Sequence, residues 1–221
     1  NADGTILAIG CPDDQAQGHV RVYKWENSAW SQMGLNIDGN STSDMSGAAV
    51  ALSDDGMILA VGEPFYDQPA QSAGRVRVYT YDASAGWALR GQGIEGTGGS
   101  SQAGSSVDIS ADGAFVTFTE ISNNAAVARI YSWDGSAWQG VGGELEIEAG
   151  STELPVVAIS KDSETIAIGQ GKHGGSDSGK VKTFKANIVT TATTTQVQDG
   201  SIASEMSLKA GGTSANPDLS I

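Results

Sequence analysis

Residues 49–62 read AVALSDDGMILAVG, two short apolar runs of period two on either side of an acidic turn. Asp-Gly is a preferred loop for a tight hairpin, so this stretch predicts two adjacent antiparallel strands. The same frame recurs about every fifty residues along the chain. SVDISADG at 106–113 and VVAISKDS at 156–163 match the first run and its turn. TILAIG, AFVTFT and ETIAIG follow their turns as MILAVG does here, and the turns themselves are Asp3-Gly4, Asp55-Gly56, Asp112-Gly113 and Asp162-Ser163.

Further out, a variable Gly, Ser and Asp loop leads in each repeat to a third strand: GHVRVYKW, GRVRVYTY, AVARIYSW and GKVKTFKA. Arg21, Arg77, Arg129 and Lys182 share one column, Tyr23, Tyr79, Tyr131 and Phe184 the next but one, and Trp25, Tyr81 and Trp133 the one beyond. Period two puts these cations and rings on one face and small branched residues such as Val20 and Val22 on the other. A fourth strand starts at Trp30, Trp87 and Trp138 and ends near Ile37, Ile94 and Ile147; repeat four lacks the tryptophan. Four strands per unit, joined by tight turns and without a helical period, define an all-β chain carrying the blade unit of a β-propeller. Strands are expected at 49–53, 57–62, 75–81, 106–110, 127–133, 156–160 and 180–185.

Thirty glycines in 221 residues, with 17% charged residues, agree with turn-rich β structure. Acids outnumber bases by 26 to 12, a net charge of −14 that repels phosphate backbones and anionic membranes, so no nucleic-acid partner is expected. No apolar run approaches the roughly 18 residues of a membrane helix, and membrane insertion is not expected. The single cysteine, Cys11, allows neither an internal disulfide nor a thiolate zinc cluster.

Three pieces, SGAAVALSDDGMILAVGEP, AGSSVDISADG, and GRVRVYTY followed by a tryptophan, resemble the FG-GAP type of propeller repeat known from integrin α subunits and many surface proteins. They are similar to that family's GxSVALS, LAVGAP and VYxW segments. The resemblance implies a propeller outside the cell. Calcium-binding members of the family carry a DxDxDG loop before the LAVGAP strand, whereas the turns here are SDDG, SADG and SKDS; no metal and no cofactor are expected.

The repeats divide into blade 1 at 3–40 plus 204–212, blade 2 at 47–97, blade 3 at 104–148 and blade 4 at 154–198, with a tail at 213–221. Repeat one is expected to lack its first strand. SEMSLKAGG at 204–212 aligns with SSVDISADG, placing Met206 in the Val107 column and Leu208 in the Ile109 column. This assembly strand is expected beside residues 5–10, either closing a ring of about four blades within its own chain or entering a neighbouring molecule. The connector NIVTTATTTQVQDGSIA at 187–203 reads as the missing fourth strand of repeat four, since threonine is β-branched and Val189 and Val197 are spaced to bury, or else as an extended O-glycosylated spacer.

No catalytic set emerges. His19 shares a column with Arg75, Val127 and Lys180, and His173 lies in a Gly-rich loop, so both are expected at the surface. Asp13, Asp14, Glu63, Asp67 and Asp177 follow second strands at spacings that differ between repeats, and they read as solvated loop acids rather than a cation site. Cys11 occupies the position of Glu63 without an acid or base partner nearby in sequence. An aromatic platform for glycans is one reading of the Arg, Tyr and Trp columns; their recurrence favours packing between blades, with the cation over a ring. Asn40-Ser41-Thr42 is an N-glycosylation acceptor, and Thr190, Thr191, Thr193, Thr194 and Thr195 are candidate O-glycosylation positions. The expectation is a non-catalytic extracellular or cell-surface structural or adhesion protein that associates with copies of itself. The alternative is a monomeric propeller that recognises a glycan or a surface protein through its loops.

Overall fold

The computed structural model describes residues 1–14, 17–146, 154–171 and 179–185, together with the backbone of strands at 187–196 and 202–211. The first repeat holds β1 (Ile6–Cys11), β2 (His19–Glu26), β3 (Ala29–Gln32) and β4 (Ile37–Asp38). The second holds β5 (Ala49–Leu52), β6 (Ile58–Glu63), β7 (Arg75–Asp82), β8 (Gly86–Leu89) and β9 (Ile94–Glu95). The third holds β10 (Val107–Ile109), β11 (Phe115–Ser122), β12 (Ala125–Trp133), β13 (Trp138–Gly140) and β14 (Leu145–Glu146). Then follow β15 (Val156–Ile159), β16 (Thr165–Gln170), β17 (Lys180–Lys185), β18 (Asn187–Gln196) and β19 (Ile202–Gly211).

Each sheet is antiparallel and follows chain order, β5-β6-β7-β8 and β10-β11-β12-β13 being the complete cases. The expected strands are all present, with ends within two residues of their expected places. The fourth strand, however, is split: β4, β9 and β14 pair with the third strand separately from β3, β8 and β13. Leu145, opposite Ala128, occupies the place expected of Ile147, matching Ile37 opposite Val20 and Ile94 opposite Val76. Ile147 itself lies outside the described residues.

Chemistry within the repeated turn explains its sequence. Ser53 Oγ donates to Asp55 Oδ1 at 2.6 Å and accepts from the Ile58 N–H at 3.0 Å, tying the two strands together. Ser110 with Asp112 and Ser160 with Asp162 repeat the bracket. Gly56 at φ 74° and Gly113 at φ 66° take the left-handed position, and a Cβ there would meet Ile6 at 2.7 Å and Ile58 at 2.3 Å respectively. Ser163 holds the same conformation at φ 62° in repeat four.

Sheets stack face to face, burying the third strand of one against the second strand of the next. Val20 and Val22 meet Leu59 and Val61 in one cluster; Val76 and Val78 join Val116 and Phe118 in another; Ala128 and Ile130 join Ile166 and Ile168 in a third. All twelve side chains are buried. Each larger one contributes roughly 1.5–3 kcal/mol, so blade-to-blade contact is the main source of stability.

The C-terminal segment departs from expectation. The threonine-rich stretch is a strand, but β18 pairs with β19 in a sheet of its own and does not extend β15-β16-β17. Thr190 stands opposite Leu208 and Ala192 opposite Met206, so the assembly strand is not paired beside residues 5–10 in this structure. Only residues 197–201 join the two strands, and a hairpin that short closes at far smaller entropic cost than a contact back to β1. The side chains of Thr190, Thr191, Thr193, Thr194, Thr195, Met206 and Leu208 lie outside the described residues, as do His173, Asp177 and the tail at 213–221.

Candidate functional site

A second strand in this fold normally sits between a first and a third: β6 pairs with β5 and β7, β11 with β10 and β12, β16 with β15 and β17. Among the described residues, β1 pairs with β2 alone. Its other edge runs beside a groove of about 530 Å³ lined by Ile6, Leu7 and Ala8 and by Val50, Ala51 and Leu52. Leu7 and Ile9 are 44% and 42% exposed, although Leu59 and Val61 in the same columns are 0% exposed. Asp54 and Lys161, an ion pair at 2.9 Å, also line the groove.

Charge is buried at the ends of the middle second strands, and this corrects the reading of Glu63 as a solvated acid. Glu63 is fully buried; Arg75 Nε donates to its Oε2 and Arg77 Nη2 to its Oε1. Arg77 also donates to the Asp38 carbonyl at 2.8 Å and to Asn40 Oδ1 at 3.2 Å, while the Arg75 guanidinium lies 3.7 Å over the Tyr66 ring. Glu120 repeats the arrangement, accepting from Arg129 Nε and from the Thr97 N–H and hydroxyl. Arg129 in turn bridges to Glu144 at 2.6 Å. The column reads Cys11, Glu63, Glu120 and Gln170, so only the two middle repeats place an acid there. A strand-end Glu facing third-strand arginines was the signal available in the sequence.

His19 is likewise not a surface residue. It opposes Cys11 in the β1–β2 register, is 1% exposed, and has Nδ1 3.4 Å from the Asp14 carboxylate. Asp44, unremarked in the sequence, is also buried; burial pushes its carboxyl up, against the Ser41 N–H bond that pulls it down. Asp13, Asp14 and Asp67 are exposed as expected, and Asp67 accepts from the Ser72 N–H. Among the described residues no group of three or more His, Cys, Asp or Glu gathers as a metal site. Asn40 is exposed in the loop after β4.

The aromatic columns were expected to pack between blades, whereas their ring pairs form across neighbouring strands of one sheet. Trp25 and Trp30, Tyr81 and Trp87, and Trp133 and Trp138 pair at ring separations of 5.4, 5.2 and 5.4 Å. Arg77 stands 5.4 Å from the Tyr79 ring, and Lys182 stands 5.5 Å from Phe184.

Solved structures share this architecture. A functionally unknown protein from Desulfotomaculum acetoxidans matches 93% of this chain at 13% identity with a TM-score of 0.56. The tricorn protease matches 99% at 9% identity and 0.51, and a TolB candidate from Agrobacterium tumefaciens matches 99% at 13% identity and 0.50. The chain spans 53%, 21% and 63% of their respective lengths. These likenesses carry fold alone, and the fold is of the β-propeller type. No family model and no curated protein matches the chain.

Proposed function

We propose that this chain is a non-catalytic structural or adhesion protein of the extracellular surface, built from FG-GAP-like repeats, that assembles with copies of itself by strand addition at the β1 edge. The unpaired edge of Ile6–Cys11 carries the reading, because its groove is walled by β5 in the geometry that a first strand fills in the other repeats. A strand entering there would satisfy the exposed backbone groups of β1; covering Leu7 and Ile9, whose counterparts Leu59 and Val61 pack against the preceding sheet, would take a further blade on that face. Residues 204–212 carry the pattern of a first strand; entering at β1 in the register of Val107 with Phe118 and Ile109 with Val116, Met206 would lie opposite Ile9 and Leu208 opposite Leu7. Exchange then requires the β18–β19 hairpin to open, as in domain swapping.

Crosslinking tests this. In a Cys11→Ser background, Leu7→Cys with Leu208→Cys should give disulfide-linked ladders. Crosslinked monomers would show that the strand closes its own ring, and absence of any crosslink would reject the strand assignment.

A further inference from the structure

The fold clamps its own outer edge with an amide at one blade junction and leaves the equivalent junction open. Between blades 2 and 3, Gln92 Nε2 donates to the Trp138 carbonyl at 2.9 Å, and the Trp138 N–H donates to Gln92 Oε1 at 3.1 Å. The Arg90 guanidinium covers Trp133 at 4.9 Å and Trp138 at 5.8 Å, leaving Trp138 2% exposed. Between blades 1 and 2 the backbone frame is the same: Trp87 Nε1 donates to the Met33 carbonyl as Trp138 Nε1 does to that of Arg90, each at 2.9 Å. The side chains differ. Met33 stands for Arg90 and Leu35 for Gln92, and Leu35 is 87% exposed.

What remains is a cleft of about 690 Å³ lined by Leu35, Asp38, Arg77, Tyr79, Tyr81 and Trp87 among others. The Tyr81 N–H turns the other way, to the Met57 carbonyl at 2.9 Å, so Trp87, paired with Tyr81, directs its own N–H and C=O away from β7. That donor and acceptor are the groups Gln92 clamps at Trp138. Deeper in the cleft wall, Tyr79 is 6% exposed and its hydroxyl has no hydrogen-bond partner among the described residues, nor does Arg77 Nε.

We propose that this cleft binds a sugar bearing an acetamido group. The amide takes the place of the Gln92 carboxamide on the Trp87 N–H and C=O, and the sugar ring lies against Tyr81, Trp87 and Leu35. Aromatic surface beside an unclamped donor and acceptor fits an acetamido-bearing ring better than a bare amide or a sugar without one.

Saturation-transfer NMR with N-acetylglucosamine at millimolar concentration tests it. The sugar should receive saturation from the protein, and glucose and free glutamine should receive far less. Leu35→Gln should fill the cleft as Gln92 fills its own and weaken binding by about tenfold, while Gln92→Leu should leave it unchanged. A melting temperature of Leu35→Gln equal to the parent's guards against a folding defect in that variant. No transfer to N-acetylglucosamine, binding undiminished in Leu35→Gln, or equal binding of glucose or glutamine would overturn the proposal.

Discussion

Glu63 accepts a hydrogen bond from Arg75 directly across the β6–β7 ladder, at a carboxylate wholly removed from solvent. Removing one partner of a buried pair leaves the other uncompensated. Glu63→Ala, which strands Arg75 and Arg77, should therefore lower stability by about 3–5 kcal/mol in urea unfolding. Lys161→Ala, which breaks the exposed pair with Asp54, should change it by less than about 1 kcal/mol. Equal effects would show that burial does not set the strength of these pairs.

Ser163 occupies the left-handed turn position that Gly56 and Gly113 hold elsewhere. Ser163→Gly should raise stability by about 1 kcal/mol, the size of the backbone penalty relieved. Gly113→Ala should do the opposite and more, since its Cβ lands 2.3 Å from Ile58 Cδ1. Thermal melts of the two variants in opposite directions are the expected result.

Acid should separate two kinds of aspartate. Burial holds Asp108 above its ordinary range, even though the Ile159 and Ile109 N–H groups bond to it. Protonation then favours the folded state, so the penalty of the ionised form is present at neutral pH and disappears as pH falls through the raised value. Asp108→Asn, whose single amide oxygen can accept only one of the two N–H groups, should abolish this part of the pH dependence, so the parent's melting temperature should gain on the variant's as pH falls. Asp82 is held low by the Ser84 hydroxyl and the Ser84 and Ala85 N–H groups. Its contribution is present above the ordinary carboxylate range and is lost as pH falls through the depressed value, so Asp82→Ala should cost stability at pH 7 and nothing in strong acid.

Native material should carry a glycan at Asn40, whose exposed loop position meets the requirement for modification. Intact mass above that of the bare polypeptide, falling after enzymatic removal of N-linked glycans, is the expected outcome. A bare mass would remove one support for the extracellular assignment.

The blades were legible in the sequence because period-two runs and an Asp-Gly turn repeat with little variation, and the hairpins they specify are local. The face that Val20 and Val22 share, opposite Arg21 and Tyr23, followed from alternation alone. His19 was not legible as a buried group, because a histidine at a strand end looks like a loop residue until the facing strand covers it; for Glu63 the third-strand arginines were a signal, but its place at the strand end reads equally as loop. Pairing of β19 with β18 turned on a choice between two compatible partners, and period two does not distinguish them. The cleft at Trp87 depended on one substitution, Leu35 against Gln92, whose meaning appears only when the two junctions are overlaid.

The split fourth strand sets what the outer rim can do. β3 and β8 are four residues long and β13 three, and each stops before its continuation resumes the pairing. Rim strands so short and interrupted offer a poor template for sideways growth, whereas β1 presents six consecutive residues. Molecules joined at β1 would consequently line up head to tail with a free acceptor at one end and a free donor strand at the other, and a short peptide copied from residues 204–212 would cap the acceptor end rather than promote lateral bundling.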